Sequence, residues 1–130
     1  MEYKKDFDKW SKIKQKLNDS NRKVYFHEKE IWWVATGINV GYEQDGKGDM
    51  FVRPVLVFKK IRNDMFIGIP ITSRLKHDLM HMAFYFEYGL HTMLIFQFKS
   101  FDSKRMTQKI SVISDYLYDK TKKAVIQFLN

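Results

Sequence analysis

Glu30-Ile31-Trp32-Trp33-Val34, Phe51-Val52-Arg53-Pro54-Val55-Leu56-Val57-Phe58 and Phe66-Ile67-Gly68-Ile69-Pro70-Ile71-Thr72-Ser73 are three runs of strand length, rich in β-branched and aromatic side chains. The spacing predicts strands over 31–35, 52–60 and 65–71. Pro54 marks a strand beginning, a bulge or an edge position. Arg62-Asn63-Asp64 supplies one turn, and the connection from Thr36 to Asp49 holds Gly37, Gly41, Gly46 and Gly48. That connection is long for a plain hairpin, and long loops tend to carry function. It contains neither a P-loop nor a dinucleotide fingerprint. Asn39, Glu43, Gln44, Arg53, Thr72 and Ser73 gather in the loop and at the ends of the runs, where rigid strands present groups to a ligand.

Outward from this centre, Phe7, Trp10, Ile13 and Leu17 recur at helical spacing and predict an amphipathic helix over 4–18, packed on the side of the domain. Asn18 to Asn21 reads as a loop, and 24–28 leads into the first strand. Met82–Tyr88 and Thr92–Lys99 predict a hairpin around Gly89, its aromatics suited to a core or an interface. Gln108–Ile113 predicts a last strand. Ser114 is placed to cap a C-terminal helix with Asp115 in its first turn and a buried stripe of Leu117, Thr121, Ala124 and Phe128. His77-Asp78-Leu79-Met80-His81 imitates a zinc-protease motif, but it has aspartate for glutamate and leads into a strand-like aromatic run, so no metal site is expected.

The chain has 130 residues and no cysteine, which bounds it to one domain without disulfides or thiol chemistry. No apolar run approaches the length of a transmembrane helix and no signal-peptide core is present, so a soluble cytoplasmic protein with no membrane role is expected. The net charge is +8. Residues 1–23 carry eight basic and four acidic side chains, residues 24–98 carry eight of each, and residues 99–130 carry seven basic and three acidic. The positive excess therefore sits on the two ends, where it serves either capture of a polyanion or solubility.

Glu30-Ile31-Trp32, Gly41-Tyr42-Glu43-Gln44, Arg53-Pro54-Val55-Leu56-Val57, Ile69-Pro70-Ile71-Thr72-Ser73 and the late stretch Phe96 to Arg105 occur in an order that resembles the PemK/MazF family of toxins from type II toxin–antitoxin systems. The resemblance implies a small SH3-like antiparallel β barrel with a helix at each end: residues 1–22 as N-terminal helix and linker, residues 23–130 as the toxin domain. It implies an endoribonuclease that cleaves single-stranded RNA by attack of a ribose 2′-hydroxyl, without metal or other cofactor. A homodimer and a cognate antitoxin are implied as partners. By motif, Arg53 and Thr72 match the catalytic arginine and threonine. Glu43, Gln44, Ser73, Asn39 and Gln97 are candidate substrate contacts. Phe96 stands where some members carry an acid before the glutamine, and Lys99 where arginine is common, so the family's proton-transfer scheme does not carry across.

Each candidate also has an ordinary structural reading. Arg53 suits a strand-end salt bridge, Thr72-Ser73 a turn or cap, and Glu43-Gln44 a solvated loop. SH3-like barrels also serve as non-catalytic nucleic-acid or protein-binding modules, and a toxin homologue that has lost cleavage belongs to the same alternative.

Overall fold

The β-branched runs fold as the alternation requires. β1 (Glu30–Ala35), β2 (Val52–Arg62) and β3 (Met65–Thr72) form an antiparallel meander, with Leu56 paired to Ile31 on one side and to Ile69 on the other. The computed structural model describes residues 5–40, 45–48, 50–74, 81–87 and 89–130. Beyond the meander come β4 (His81–Phe86), β5 (Gly89–Leu94), β6 (Lys99–Asp102) and β7 (Met106–Val112). The hydrogen-bonded order is β4-β5-β3-β2-β1-β7, with β6 also on β3. Helices α1 (Phe7–Asp19) and α2 (Asp115–Leu129) flank this sheet. The result is a mainly antiparallel β domain with a helix at each end, as expected, although among the described residues no ladder joins β4 to β7 to close a barrel.

One departure explains how β3 serves two neighbours. The expected hairpin strand over Thr92–Lys99 is instead β5, which begins at Gly89 and stops at Leu94. Ile95–Gln97 then makes a single turn of 3-10 helix with Ile95 fully buried. This turn redirects the chain, so β5 pairs with β3 at Ile71 and Thr72 while β6 pairs with it from Met65 to Gly68. Hydrophobic periodicity cannot announce such a break, because the apolar run Met93-Leu94-Ile95-Phe96 continues through its start.

Strand alternation divides the interior. Ile31, Leu56, Ile69 and Ile71 face one cluster with β4, β5 and α2, whereas Val34, Val55, Val57 and Phe66 face a second with Phe26, Phe101 and Met106. A buried aliphatic or aromatic side chain contributes about 1.5–3 kcal/mol. On α2 the cap forms as expected, Ser114 Oγ accepting from the Leu117 N–H at 3.1 Å. The buried stripe is shifted from the expected one. Tyr118, Thr121 and Val125 are buried, Leu117 and Ala124 partly so, and Phe128 is exposed. The Tyr118 hydroxyl fixes this rotation by donating to the Phe58 carbonyl at 2.7 Å.

Gly68 lies where the second cluster is tightest. A Cβ there would stand 2.5 Å from Val55 Cγ1 and within 3.0 Å of the Phe66 and Phe101 rings. Gly68→Ala is expected to destabilise the domain by about 1–3 kcal/mol through overpacking, read as a lower urea midpoint at unchanged slope.

Glu30 anchors the segment entering β1. Its carboxylate accepts from the His27 N–H and Trp32 Nε1, both at 2.9 Å, and lies 3.1 Å from Lys109 Nζ on β7. Burial pushes the Glu30 carboxyl up, but the bonds from Trp32, His27 and Lys109 outweigh burial and hold it below the ordinary glutamate range. Its stabilising contribution is therefore complete above the unfolded value, about 4.3, and is lost as pH falls through the lower folded value. Glu30→Gln is expected to cost about 1–3 kcal/mol at neutral pH. The gap from wild type in urea melts should close as the pH drops below about 4.

Candidate active site

Arg53 is the second residue of β2 and is 5% exposed. A guanidinium there must be met by acceptors. Its Nε donates to the Asp45 carbonyl at 2.7 Å and its Nη1 to the Ile71 carbonyl at 3.1 Å. Burial pushes the Arg53 guanidinium down, Asp45 opposes that, and Arg74 adds to the lowering. Arginine is basic enough to remain a cation. The β2–β3 register ends with Val55 paired to Pro70, and the bond from Arg53 to the Ile71 carbonyl keeps Arg53 beside the end of β3. Thr72 pairs with Thr92 on β5. Thr72 and Thr92 thus stand side by side on β3 and β5, at the strand end whose Ile71 carbonyl holds Arg53. Thr72 Oγ1 accepts from the Arg74 N–H at 3.3 Å. Thr92 Oγ1 is buried and has no hydrogen-bond partner among the described residues.

A cavity of about 370 Å³ opens beside Arg53, lined also by Trp33, Lys47, Val52, Ser73 and His91. Ser73 is exposed at its rim, while Thr72 is buried and not part of its lining. The His91 ring has a defined tautomer. Its Nδ1 lies 3.1 Å from the Gly89 carbonyl. A carbonyl only accepts, so in the neutral ring Nδ1 carries the proton and Nε2 carries the lone pair. Phe86 meets the same ring edge-on at 5.1 Å.

The loop between β1 and β2 is shaped to supply the Asp45 carbonyl. At its neck the Gly37 N–H donates to the Phe51 carbonyl and the Gly46 N–H to the Gly37 carbonyl, at 3.1 and 2.7 Å. Gly37 has φ +75°, and a Cβ on Gly46 would stand 1.7 Å from the Phe51 carbonyl oxygen, so both positions require glycine. The Asp45 carboxylate accepts from the Asn39 N–H at 2.7 Å and pairs with Lys5 at 3.3 Å. Trp10 of α1 closes the loop from outside. It packs with Ala35, Ile38 and Phe51, the Phe51 ring 5.7 Å away edge-on, and Arg105 lies 5.7 Å over the indole.

Of the residues expected at a site, Arg53, Thr72 and Ser73 converge at the adjoining ends of β2 and β3. Glu43 and Gln44 lie outside the described residues, as do His77 to Met80. Asn39 is in the same loop, but its side-chain amide donates to the Thr36 carbonyl at 3.1 Å and it does not line the cavity. Gln97 sits in the 3-10 turn, away from the cavity lining. Asp45, Lys47, Arg74 and His91 were not singled out in the sequence as site residues. Asp45 and Lys47 are polar positions in a glycine-rich loop, and only the fold brings His91 into one cavity lining with Ser73. His81 is on β4, against the Phe96 ring at 5.2 Å, and among the described residues no three ligating side chains gather as a metal site would need.

Because α1 holds the loop, Trp10→Ala should free it while leaving the sheet intact. Amide exchange at Gly37, Gly46 and Val52 is expected to lose about 2–3 kcal/mol of protection. Amides in the centre of β2 and β3 should keep theirs.

A model of the PemK-like, MazF-like toxin of type II toxin–antitoxin systems matches residues 27–129. Curated proteins gave no match. The matched segment runs from the residues entering β1 through α2 and contains Arg53, Thr72, Ser73 and His91, while α1 precedes it. This chain belongs to the PemK-like, MazF-like family of type II toxin–antitoxin toxins.

Proposed function

We propose that the protein is the toxin of a type II toxin–antitoxin pair and cleaves single-stranded RNA in the cytoplasm without a metal, working as a homodimer restrained by a cognate antitoxin. The observation that carries this reading is the state of Arg53. It is a buried cation held by two backbone carbonyls beside a cavity that also takes in Ser73 and His91. Carbonyls orient a guanidinium without neutralising it, so its remaining N–H groups keep a full positive charge for phosphate oxygens. Preorganised charge of this kind stabilises a phosphorane more than the phosphodiester that precedes it.

In this scheme a neutral His91 accepts the 2′-hydroxyl proton at Nε2. The 2′-oxygen forms its bond to phosphorus, and the P–O5′ bond breaks with its electron pair going to the 5′-oxygen, which takes a proton from water. The products are a 2′,3′-cyclic phosphate and a 5′-hydroxyl. Arg53 binds the equatorial oxygens, the Ser73 hydroxyl donates to the same phosphate, and Thr72 with Arg74 shapes the strand end behind it. His91 supplies the base that the missing acid at position 96 would otherwise leave unassigned.

Cleavage of a long mixed-sequence RNA in EDTA tests this directly. Wild type is expected to give discrete cuts with cyclic phosphate ends. Arg53→Ala should lose about 10²–10³ in rate and Arg53→Lys should not restore it. His91→Ala should lose about 10²–10⁴, partly recovered by added imidazole. If folded wild-type dimer cuts no RNA, the chain is a non-catalytic binding module of the same fold.

A further inference from the structure

Part of the positive excess at the two ends of the chain lies away from the Arg53 site. In the fold Arg22 and Lys23 from the first end and Lys104 from the second come to one place, together with Lys60 and Arg62 from the centre of the chain. A groove of about 950 Å³ lies between the segment 20–25, the β2–β3 turn and the β6–β7 turn. Arg22 and Lys23 line it from the first segment, Lys60 and Arg62 from the second, and Lys104 from the third. Asp64 and Asp102 are its acids, so the groove has three positive charges in excess. Lys60 and Arg62 stand seven and nine residues along β2 from Arg53, about 25 Å away, at the opposite end of the strand.

Three of these cations are fastened by backbone carbonyls. Arg22 donates to the Met106 and Lys104 carbonyls, Lys60 to Phe26 at 2.9 Å, and Lys104 to Asn18 at 2.9 Å. Such bonds fix a side chain and leave its charge uncompensated. Of the two acids, Asp64 pairs with Arg62 at 2.7 Å, and Asp102 accepts from the Lys104 N–H at 2.8 Å. Tyr25 completes the groove and is 85% exposed, an aromatic ring left in water beside fixed cations. Buried apolar neighbours explain Phe26 next to it, which is fully covered, but nothing in the packing calls for a tyrosine at 25.

We propose that this groove is a second RNA-binding surface, remote from the Arg53 cavity, which holds the phosphate backbone of a single strand and stacks one base on Tyr25. Fixed cations match a polyanion of any kind. The exposed ring among them favours a nucleic acid over an acidic peptide, because a base offers a π face and a glutamate does not. The polymer's identity rests on the proposed function, while the groove itself does not. Arg22, Lys23 and Tyr25 precede the residues matched by the family model, whereas Lys60, Arg62 and Lys104 lie within them, so the N-terminal segment completes the surface.

The test is binding of a labelled twenty-nucleotide mixed-sequence RNA, followed by fluorescence polarisation across a salt series in an Arg53→Ala background. Lys23→Gln/Arg62→Gln removes two charges without touching the carbonyl-held side chains, and Lys120→Gln/Lys123→Gln on α2 controls for net charge. The groove pair is expected to weaken binding at least tenfold more than the control pair. It should also flatten the plot of log affinity against log salt by about 1.4, the value for two phosphates on a single strand. Tyr25→Ala should weaken binding about fivefold or more. Equal effects of groove and control pairs would overturn the proposal, as would polyglutamate displacing the RNA with Tyr25→Ala indistinguishable from its parent. Cleavage of a five-nucleotide RNA by the groove variants with Arg53 intact should match wild type. Failure of wild type to cut that substrate counts against the Arg53 reading and leaves the binding comparison standing.

Discussion

A charge buried at the head of a strand dictates how this molecule is built at one end. The Arg53 guanidinium is out of water, and an unmet cation there would cost several kcal/mol. Two carbonyls meet it, one from β3 and one from the loop between β1 and β2. The β3 carbonyl comes with the meander itself. The loop carbonyl requires Asp45 to be carried back over the strand, which requires the close approach of Gly46 to Phe51 and the left-handed turn at Gly37. The Gly37 turn in turn leaves room for an indole, so Trp10 packs there and α1 becomes part of the site's support. Each step is local chemistry, and together they tie a helix outside the matched segment to the one buried arginine of β2.

The same dependence marks how far the sequence could be read. β1, β2 and β3 were legible because branched and aromatic residues in runs bounded by turn residues have few other solutions. The Ser114 cap was legible because capping is a short-range bond. Arg53, Thr72 and Ser73 were legible as polar residues at strand ends, and in the fold Arg53 and Ser73 line one cavity while Thr72 is buried behind it. What escaped was long-range. The turn at Ile95–Gln97 is hidden in an apolar run. Asp45 acts through its backbone, so its side chain gives no hint of the bond to Arg53. His91 joins Ser73 in the cavity lining only because β5 pairs with the last two residues of β3. The rotation of α2 was set by one tyrosine hydroxyl reaching a carbonyl, which a helical period cannot encode.

Charge was read as a distribution along the chain, and its meaning changed once the chain folded. The excess at residues 1–23 and that at 99–130 are separated in sequence by a balanced centre. Antiparallel folding places the β6–β7 turn beside the segment leading into β1, so Arg22 and Lys104 become neighbours. Solubility would be served by dispersing these cations, since like charges repel when gathered. Their convergence on one concave surface has a cost in folding, which the carbonyl contacts and the cation–π contact of Lys60 with Phe26 partly offset.

Carboxylates and backbone carbonyls both hold cations in this protein, and the two kinds of partner leave different fields. Lys29 is bound to Asp115 at 2.7 Å and Lys109 to Glu30 at 3.1 Å, each a neutralising pair that joins the segment before β1, or β1 itself, to a later element. Arg53, Arg22, Lys60 and Lys104 are instead bound to carbonyls. A carboxylate partner would stabilise each of them more, because a charged acceptor makes the stronger bond. It would also cancel the field that draws in an anion. A cation oriented by neutral acceptors gives up part of that stability and keeps its whole charge directed outward, so an incoming phosphate meets a fixed site and has no ion pair to break first. That arrangement occurs at both ends of β2, about 25 Å apart, and it is the physical ground on which both proposed anion sites rest.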